Sequence, residues 1–407
     1  MTMFKPLILI WRDPALRMAA AAVMLVGCLA ATMTPYQSLI AIRLFGLSDS
    51  AYALVLAVAS AVAVAGSVGI GILTDQTAQR RAIAAWSAGL GIFGALLVLA
   101  LPGKVSFVLA HALVLPLASS VFGQIFALAR LASQRFAAAD RDGIMAAVRA
   151  LFALPFIVVL PLWSVAFDAG AGLLTIYAVL AALGLVLVRL LTAHWPRAGA
   201  LAAETRSGLS LSASLAEMGR PAVLVRVALT GAIGSGVFMY MVILGLAFDA
   251  APGRDIGDVA IFAGLIAGLE VPVMLSMGLL LARMGRLQAI LLGAACYAGF
   301  LFAFPALLPT PWVWLLTIPA AVGGGIVLSL PIAYVQDLMG TRAGAGGALL
   351  AVQKVASDTL CAALFAVATW VAGYGLAAVL AGVAMLAAAF ALILLDRPQL
   401  SKNPGPA

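Results

Sequence analysis

Charge is scarce in this sequence. Of its 407 residues 9% are Asp, Glu, Lys or Arg and 65% are hydrophobic, whereas a soluble domain is about 25% charged and 45–50% apolar. A water-soluble fold could not bury so large an apolar share, which excludes a soluble enzyme and a nucleic-acid-binding domain. Histidine is scarcer still. His111 and His194 are the only two, too few for a His-rich metal site. Cys28, Cys296 and Cys361 each sit alone inside an apolar stretch. An odd count without paired spacing gives no disulfide framework and excludes a secreted disulfide scaffold. The sequence also has no G-x-x-x-x-G-K-[ST], H-E-x-x-H, C-x-x-C or G-x-S-x-G. It therefore offers no nucleotide cradle, zinc-protease helix, redox pair or nucleophile elbow. The expectation is a non-enzyme without cofactor or metal, drawing on an ion or solute gradient and not on ATP.

What the sequence has in abundance is long apolar runs. Twelve are long enough to cross a bilayer, near 16–42, 51–73, 82–101, 105–130, 144–167, 171–193, 222–248, 258–282, 287–307, 312–338, 345–372 and 375–395. The first follows Lys5, Arg12 and Arg17 as a signal peptide would. It is longer, lacks a clear cleavage site and is followed by similar runs, so it reads as the first membrane helix. The alternating ten-residue segments of a barrel are absent. The fold class is thus an all-α polytopic membrane protein. The polar stretch 194–221 divides the helices six and six, giving bundles over 1–193 and 222–407 with the C-terminal tail short. Such a division suggests a duplicated architecture. One repeat is visible: Gly71-Ile-Leu-Thr-Asp75 with Arg80 and Arg81 after span two, and Gly278-Leu-Leu-Leu-Ala-Arg283-Met-Gly285-Arg286 after span eight.

Few polar groups stand at membrane depth, where a charged side chain costs about 2.5–3.5 kcal/mol on insertion scales. Glu270 is the clearest, near the middle of span eight in Ala-Gly-Leu-Glu-Val-Pro. Desolvation favours its neutral form. It is either a proton-coupling group or a hydrogen-bonded acid that ties helices together. Lys354 and Asp358 are four apart in span eleven and can meet on one face, as a structural pair or as part of substrate or proton handling. Arg149 lies about one turn into span five and either snorkels to the surface or serves as a counter-charge, as Lys354 could. Span one ends in Thr32-Met-Thr-Pro35-Tyr36-Gln37-Ser38. This is a patch for a neutral, hydroxyl-rich ligand or a kink whose hydroxyls satisfy their own helix. Gln124, Tyr240, Tyr334 and Gln353 are further uncharged candidates for substrate contact. Trp163, Trp195, Trp312, Trp314 and Trp370 fall near span ends and read as belt residues. Gly323–Gly325 and the Gly344-Ala-Gly-Gly stretch lie in apolar helices, where small residues permit close packing.

The six-plus-six arrangement and the loop holding Gly71, Asp75, Arg80 and Arg81 resemble the major facilitator superfamily. Within it the chain resembles the sugar efflux transporter family. The stretches that carry this are Pro35 to Ser38 with Arg43 and Gly46, Gln124 to Arg130, Arg149 with Pro161, Ala267 to Pro272, and Gln336-Asp337-Leu-Met-Gly-Thr-Arg342-Ala-Gly344. The chain departs from the superfamily pattern at Gln76 and Ala78 in the loop, at Ala282 in its second copy, and in span five, where Pro161 stands without its glycine. It also lacks the Arg of mid-helix four. The resemblance implies two six-helix bundles, a monomer alternating access in a bacterial inner membrane, and a midplane cavity lined by helices one, four, seven and ten. It implies export of sugars or glycosides against proton entry. Read from their positions, Tyr36, Gln37, Ser38, Gln124, Tyr240, Tyr334 and Gln353 would meet the substrate, and Glu270 and Asp358 would carry protons, Lys354 and Asp358 standing outside the family's pattern. Gly71, Asp75, Arg80, Arg81, Arg130, Gly278, Arg283, Arg286, Asp337 and Arg342 would form a cytoplasmic gate. A drug exporter or uptake carrier of the same superfamily is the alternative, and a non-transporting membrane protein the alternative of a different class.

The net charge of +8 is that of cytoplasmic loops beside anionic lipid. With the N-terminus inside, every Lys and Arg but Arg43, Lys104 and Arg254 falls on the cytoplasmic side. Reporter fusions after Ala407 and within 194–221 are expected to report cytoplasm. A periplasmic signal from either contradicts this topology.

Overall fold

The computed structural model describes residues 5–77, 79–196, 220–281, 283–338 and 343–400. Among these residues every regular element is helical, and twelve stretches are long and apolar enough to cross a membrane, from Pro14–Met33 to Tyr374–Asp396. The expected all-helical, twelve-span architecture is observed. The helices are α1 (Lys5–Arg12), α2 (Pro14–Met33), α3 (Gln37–Leu39), α4 (Asp49–Thr77), α5 (Arg80–Ala100), α6 (Lys104–Leu109), α7 (Leu115–Ala118), α8 (Ser120–Ser133), α9 (Ala138–Asp168) and α10 (Thr175–His194). They continue with α11 (Pro221–Ala250), α12 (Ile256–Leu275), α13 (Met277–Leu281), α14 (Arg286–Leu307), α15 (Thr317–Val327), α16 (Leu330–Asp337), α17 (Ala343–Val371) and α18 (Tyr374–Leu400). Contacts divide the chain into two compact units, Met1–Leu47 with Ala61–Gly208 and Ser48–Ser60 with Leu209–Ala407.

The first unit is built on α2. Asp13 caps it, its carboxylate accepting the N–H groups of Ala15 and Leu16 at 2.9 Å, and Pro14 occupies the first helical position, where its missing N–H costs nothing. Ala15, Ala19 and Ala22 give α2 a small-residue face. Gly27 lies so close to the Phe152 carbonyl of α9 that a Cβ there would overlap it. Leu16, Val23, Ile125, Leu128, Ile144, Val148, Leu187 and Leu191 fill the core between α2, α8, α9 and α10. Around this core Trp86, Val105, Leu162 and Val165 are exposed, the inverse of a soluble surface and the face a bilayer covers. The ion pairs lie at helix ends, Lys5 with Asp140 at 2.5 Å and Arg135 with Asp13 at 2.7 Å.

The second unit packs helices through glycine. A Cβ on Gly293 would meet Ile326 Cγ2 at 2.6 Å, and one on Gly323 would meet the Tyr297 nitrogen at 2.5 Å. Hydrocarbon offers helices no hydrophobic drive to associate, so close backbone approach supplies the contact. An aromatic cluster of Tyr240, Phe248, Phe262, Tyr297, Phe300 and Phe304 stands beside it, with ring centroids 5.3–6.5 Å apart. Gly373, at φ 83°, turns the chain from α17 into α18, and its N–H donates to the Ala368 carbonyl at 2.8 Å. Tyr52 packs edge-on to Phe365 at 6.1 Å, and the Tyr374 hydroxyl bonds Asp49 at 3.2 Å.

Four spans expected as single helices are broken, each near a proline. Span one stops at Met33 before Pro35, turns through α3 and ends in a π-helical turn at Ile40–Leu44. Span four contains a π-helical turn at Ala110–Val114 just before Pro116. In span eight the interruption is at Ser276, between α12 and α13 and four residues after Pro272. Span ten begins as a 3-10 turn, Pro311–Leu316, and is interrupted between α15 and α16, next to Pro331. Proline lacks the N–H and crowds the carbonyl four residues back, and a π turn or a break absorbs both faults. The helix α1 before the first span was not among the expectations.

An ionic tie joins α11, α16 and α18. Arg226 donates to Asp396 Oδ1 through Nε at 2.9 Å and Nη2 at 2.6 Å, and the Tyr334 hydroxyl donates to Oδ2 at 2.6 Å. Asp396 is buried, and among the described residues these two side chains are its partners. Replacing Arg226 by Met leaves that carboxylate without a counter-charge, held by the Tyr334 hydroxyl alone, and is expected to cost about 3–5 kcal/mol. Thermal unfolding in detergent should show the loss, with the double variant Arg226→Met/Asp396→Leu more stable than the single one.

Candidate functional site

In the first unit the break in span one sets the geometry. Because α2 ends before Pro35, Tyr36 leaves the helical register, and its ring lies edge-on to Phe167 at 5.1 Å and to Trp163 at 6.4 Å. Trp163 and Phe167 stack at 5.2 Å. Trp163 is 5% exposed, which corrects its reading as a belt residue: it packs against Tyr36 and Phe167. Trp312 and Trp370, by contrast, are exposed. The polar atoms around this break are the notable feature. Thr32 Oγ1, the Tyr36 hydroxyl, Ser38 Oγ and Gln124 Oε1 are all buried without a hydrogen-bond partner among the described residues. Gln37 is half-buried beside them in sequence. A buried polar atom left unpaired costs about 1–3 kcal/mol, and native structures tolerate few of them. Three of these lie on α2, α3 and the turn between them, and Gln124 lies on α8. Other buried hydroxyls in this unit are paired, Ser87 with Ser120 at 2.9 Å and Tyr177 with the buried His111 at 2.8 Å.

In the second unit Glu270 lies on α12, half-buried. Its carboxyl forms no ion pair or hydrogen bond among the described residues, and Oε1 lies against Gly324 of α15. A side chain any larger than hydrogen at 324 would displace it. The Tyr240 hydroxyl on α11 is buried and unpartnered as well, and Ser60 Oγ shares that condition. Tyr297 approaches the same Gly324 position, its Cε2 at 3.3 Å from where a Cβ would stand, and the Tyr240 ring lies edge-on to that of Tyr297 at 6.5 Å.

The other candidate residues divide into engaged and unengaged. Lys354 Nζ meets Asp358 Oδ2 at 2.6 Å, as their spacing predicts. Asp358 is buried, while Lys354 is exposed and reaches over the Phe238 ring at 5.2 Å. Gln353 is half-buried on the same helix. Tyr334 is taken up by Asp396 in the tie described above. Arg149 is exposed and has no ion-pair partner among the described residues. Arg81 donates through Nη2 to the Thr192 carbonyl, Arg80 and Arg286 begin α5 and α14, and Arg130 and Arg283 are exposed. Arg342 and the side chains of Asp75 and Asp337 lie outside the described residues, as do the surroundings of Gly71 and Gly278. Among the described residues no three His, Cys, Asp or Glu gather as a metal site would require.

Sequence reasoning missed Asp396 and Ser60. Asp396 fell one residue beyond the expected end of span twelve and read as tail, whereas α18 runs on to Leu400. A signal was present in Arg226, five residues inside span seven, since a buried guanidinium needs a carboxylate. Ser60 carried no signal: a lone serine in an apolar helix ordinarily bonds its own backbone.

No protein-family model matches the chain. Sugar efflux transporter A of Dickeya chrysanthemi is 36% identical over 132 residues, 31% of this chain and 33% of that protein. The chain thus matches about a third of the length of this curated relative. The crystal structure of the nucleoside transporter NupG superposes with a TM-score of 0.75 at 14% identity, covering 93% of this chain and 98% of that one. A mutant of the peptide transporter POT, in complex with sulfate, gives 0.72 at 12% identity, covering 94% and 95%. Likeness over nearly the whole of both chains, on top of twelve spans, gives this protein the fold of the major facilitator superfamily.

Proposed function

We propose that this chain is a secondary active transporter that exports sugars or glycosides from the cytoplasm by proton antiport, through alternating access in a bacterial inner membrane. The observation that carries the reading is the set of buried, unpartnered oxygens of Thr32, Tyr36, Ser38 and Gln124. Neutral hydroxyl and amide groups suit a neutral ligand rich in hydroxyls, because each bond formed on binding removes a standing penalty. They sit on spans one and four, which are discontinuous, the feature that marks binding sites in transporters. The partial match to a sugar efflux transporter supports the same substrate class. The two bundles over 1–193 and 222–407 would rock as units about the linker 194–221, and the protein would work as a monomer.

Glu270 supplies the coupling in this reading. It is a carboxyl at mid-span without a cation among the described residues, so its ionised form is costly there and it takes a proton readily. Asp358 is already neutralised by Lys354 and is the second candidate. Asp75, Asp337 and the arginines at 80, 81, 130, 283, 286 and 342 would close the cytoplasmic side, the carboxylates pairing with arginine or capping helix N-termini.

Everted vesicles with an acidic lumen test the proposal, offered a panel of labelled sugars, glycosides and nucleosides. Wild type is expected to accumulate a sugar or glycoside as protons leave the lumen. Glu270→Gln keeps the size and hydrogen-bonding capacity but cannot titrate. It should abolish accumulation while downhill exchange persists. Accumulation by the variant would reduce Glu270 to a structural group, and accumulation of nucleosides alone would replace the substrate class.

A further inference from the structure

The surroundings of Glu270 hold two features that proton coupling alone does not explain. The first is the glycine triplet of α15. A Cβ on Gly323 would strike the backbone of α14, at the Tyr297 nitrogen and the Gly293 carbonyl, and one on Gly325 would meet Val273 Cγ1 at 2.9 Å. These two glycines are needed for helix packing. Gly324 is different: the atom occupying the space of its missing Cβ is Glu270 Oε1, the far end of a flexible side chain. The second feature is the Tyr240 hydroxyl, buried and without an acceptor among the described residues, on a ring packed edge-on to Tyr297, which itself approaches the Gly324 position that Glu270 Oε1 occupies.

These are the two halves of one device. Against Gly324 no donor reaches the carboxyl, so that position suits the neutral acid and penalises the anion. Beside Tyr240 an O–H is available that has nothing else to bond, and a donor to the charged form favours it. We propose that Glu270 has two seats, the neutral acid resting on Gly324 and the carboxylate accepting the Tyr240 hydroxyl, with its proton passed to water when it moves between them. One residue then has two proton affinities, which antiport requires of its coupling group, because a ligand that prefers neither state shifts no equilibrium. The proposal rests on the reading of Glu270 as the coupling residue and adds Gly324 and Tyr240 as positioning residues.

The other titratable groups on the neighbouring helices are few. α15 and α13 carry none. α11 has Arg226, held by Asp396 near its start, and Asp249 at its far end. α14 has Arg286 at its first residue, and Cys296 and Tyr297 in its middle. On α12 itself the other acid is Asp258, near the first turn and 3.6 Å from Arg254. The hydroxyls of Thr230, Ser235 and Thr317 are bonded to backbone carbonyls, which leaves Tyr240 and Tyr297 as the phenols on these helices.

Infrared difference spectroscopy of the full chain in proteoliposomes tests this without a substrate, the proton being the probe. The C=O stretch of the protonated acid is followed against pH and assigned by its loss in Glu270→Gln. Tyr240→Phe removes the donor to the carboxylate and should move the midpoint to higher pH. Gly324→Ala evicts the acid from its neutral seat and should move the midpoint to lower pH. Each shift should be about one pH unit, a tenfold change in proton affinity. A general loosening that admits water would move both variants in the same direction, so opposite signs are the signature. Tyr240→Phe is nearly isosteric and keeps the test alive if Gly324→Ala does not fold. An unmoved midpoint in Tyr240→Phe, or shifts of the same sign, overturns the two-seat proposal even where vesicle transport upholds proton antiport. Opposite shifts without proton-driven transport uphold the seats and overturn the coupling role.

Discussion

An ionised or unpaired polar side chain in hydrocarbon is expensive, and the placement of polar groups in this protein follows from that cost. Ion pairs gather at helix ends, where Lys5, Asp13, Arg135 and Asp140 meet. Where charge goes deeper it is neutralised on the spot, by Arg226 and Tyr334 around Asp396 and by Lys354 on Asp358. Against that background the exceptions carry information. The oxygens of Thr32, Tyr36, Ser38, Ser60, Gln124 and Tyr240 have no partner among the described residues, and Glu270 forms no ion pair or hydrogen bond among them. In the proposed function these open groups are the ones that meet a substrate and a proton.

The same economy explains the packing. Helices in a bilayer gain little from hiding apolar side chains, so they close on one another through small residues: Gly27 against α9, Gly293 and Gly323 between α14 and α15. Rigid contacts of this kind keep each unit intact while the discontinuous spans supply irregular backbone. Of the four breaks, those at Pro35, Pro116 and Pro331 fall in spans one, four and ten, three of the four helices that the superfamily resemblance assigns to the cavity. Irregular backbone is tolerated at membrane depth only where protein or a water-filled cavity receives it.

Much of this was legible in the sequence because the bilayer imposes a long, one-dimensional pattern. The twelve apolar runs and the absence of a sequence-local cation beside Glu270 need no tertiary information. The meeting of Lys354 with Asp358 follows from helical spacing alone. What stayed hidden depends on contacts between distant segments. Nothing in the sequence near Asp396 announces Arg226, 170 residues earlier. Trp163 reads as an interfacial residue until Tyr36 is found packed against it. The internal breaks of spans one, four, eight and ten depend on how neighbouring helices accept a proline, and proline in a membrane helix permits either a kink or an end. The glycine triplet was readable as a close-packing surface, but not that its middle member faces a carboxyl.

The central claim is that a neutral, hydroxyl-rich solute and a proton move in opposite directions through this fold. Its most direct measurement is the lumen pH of energised everted vesicles as unlabelled sugars and glycosides are added one at a time. Antiport predicts that a transported sugar makes the acidic lumen more alkaline, that the response saturates with sugar concentration, and that it disappears in vesicles without the protein. A lumen pH that stays constant while labelled sugar crosses the same membrane would contradict it.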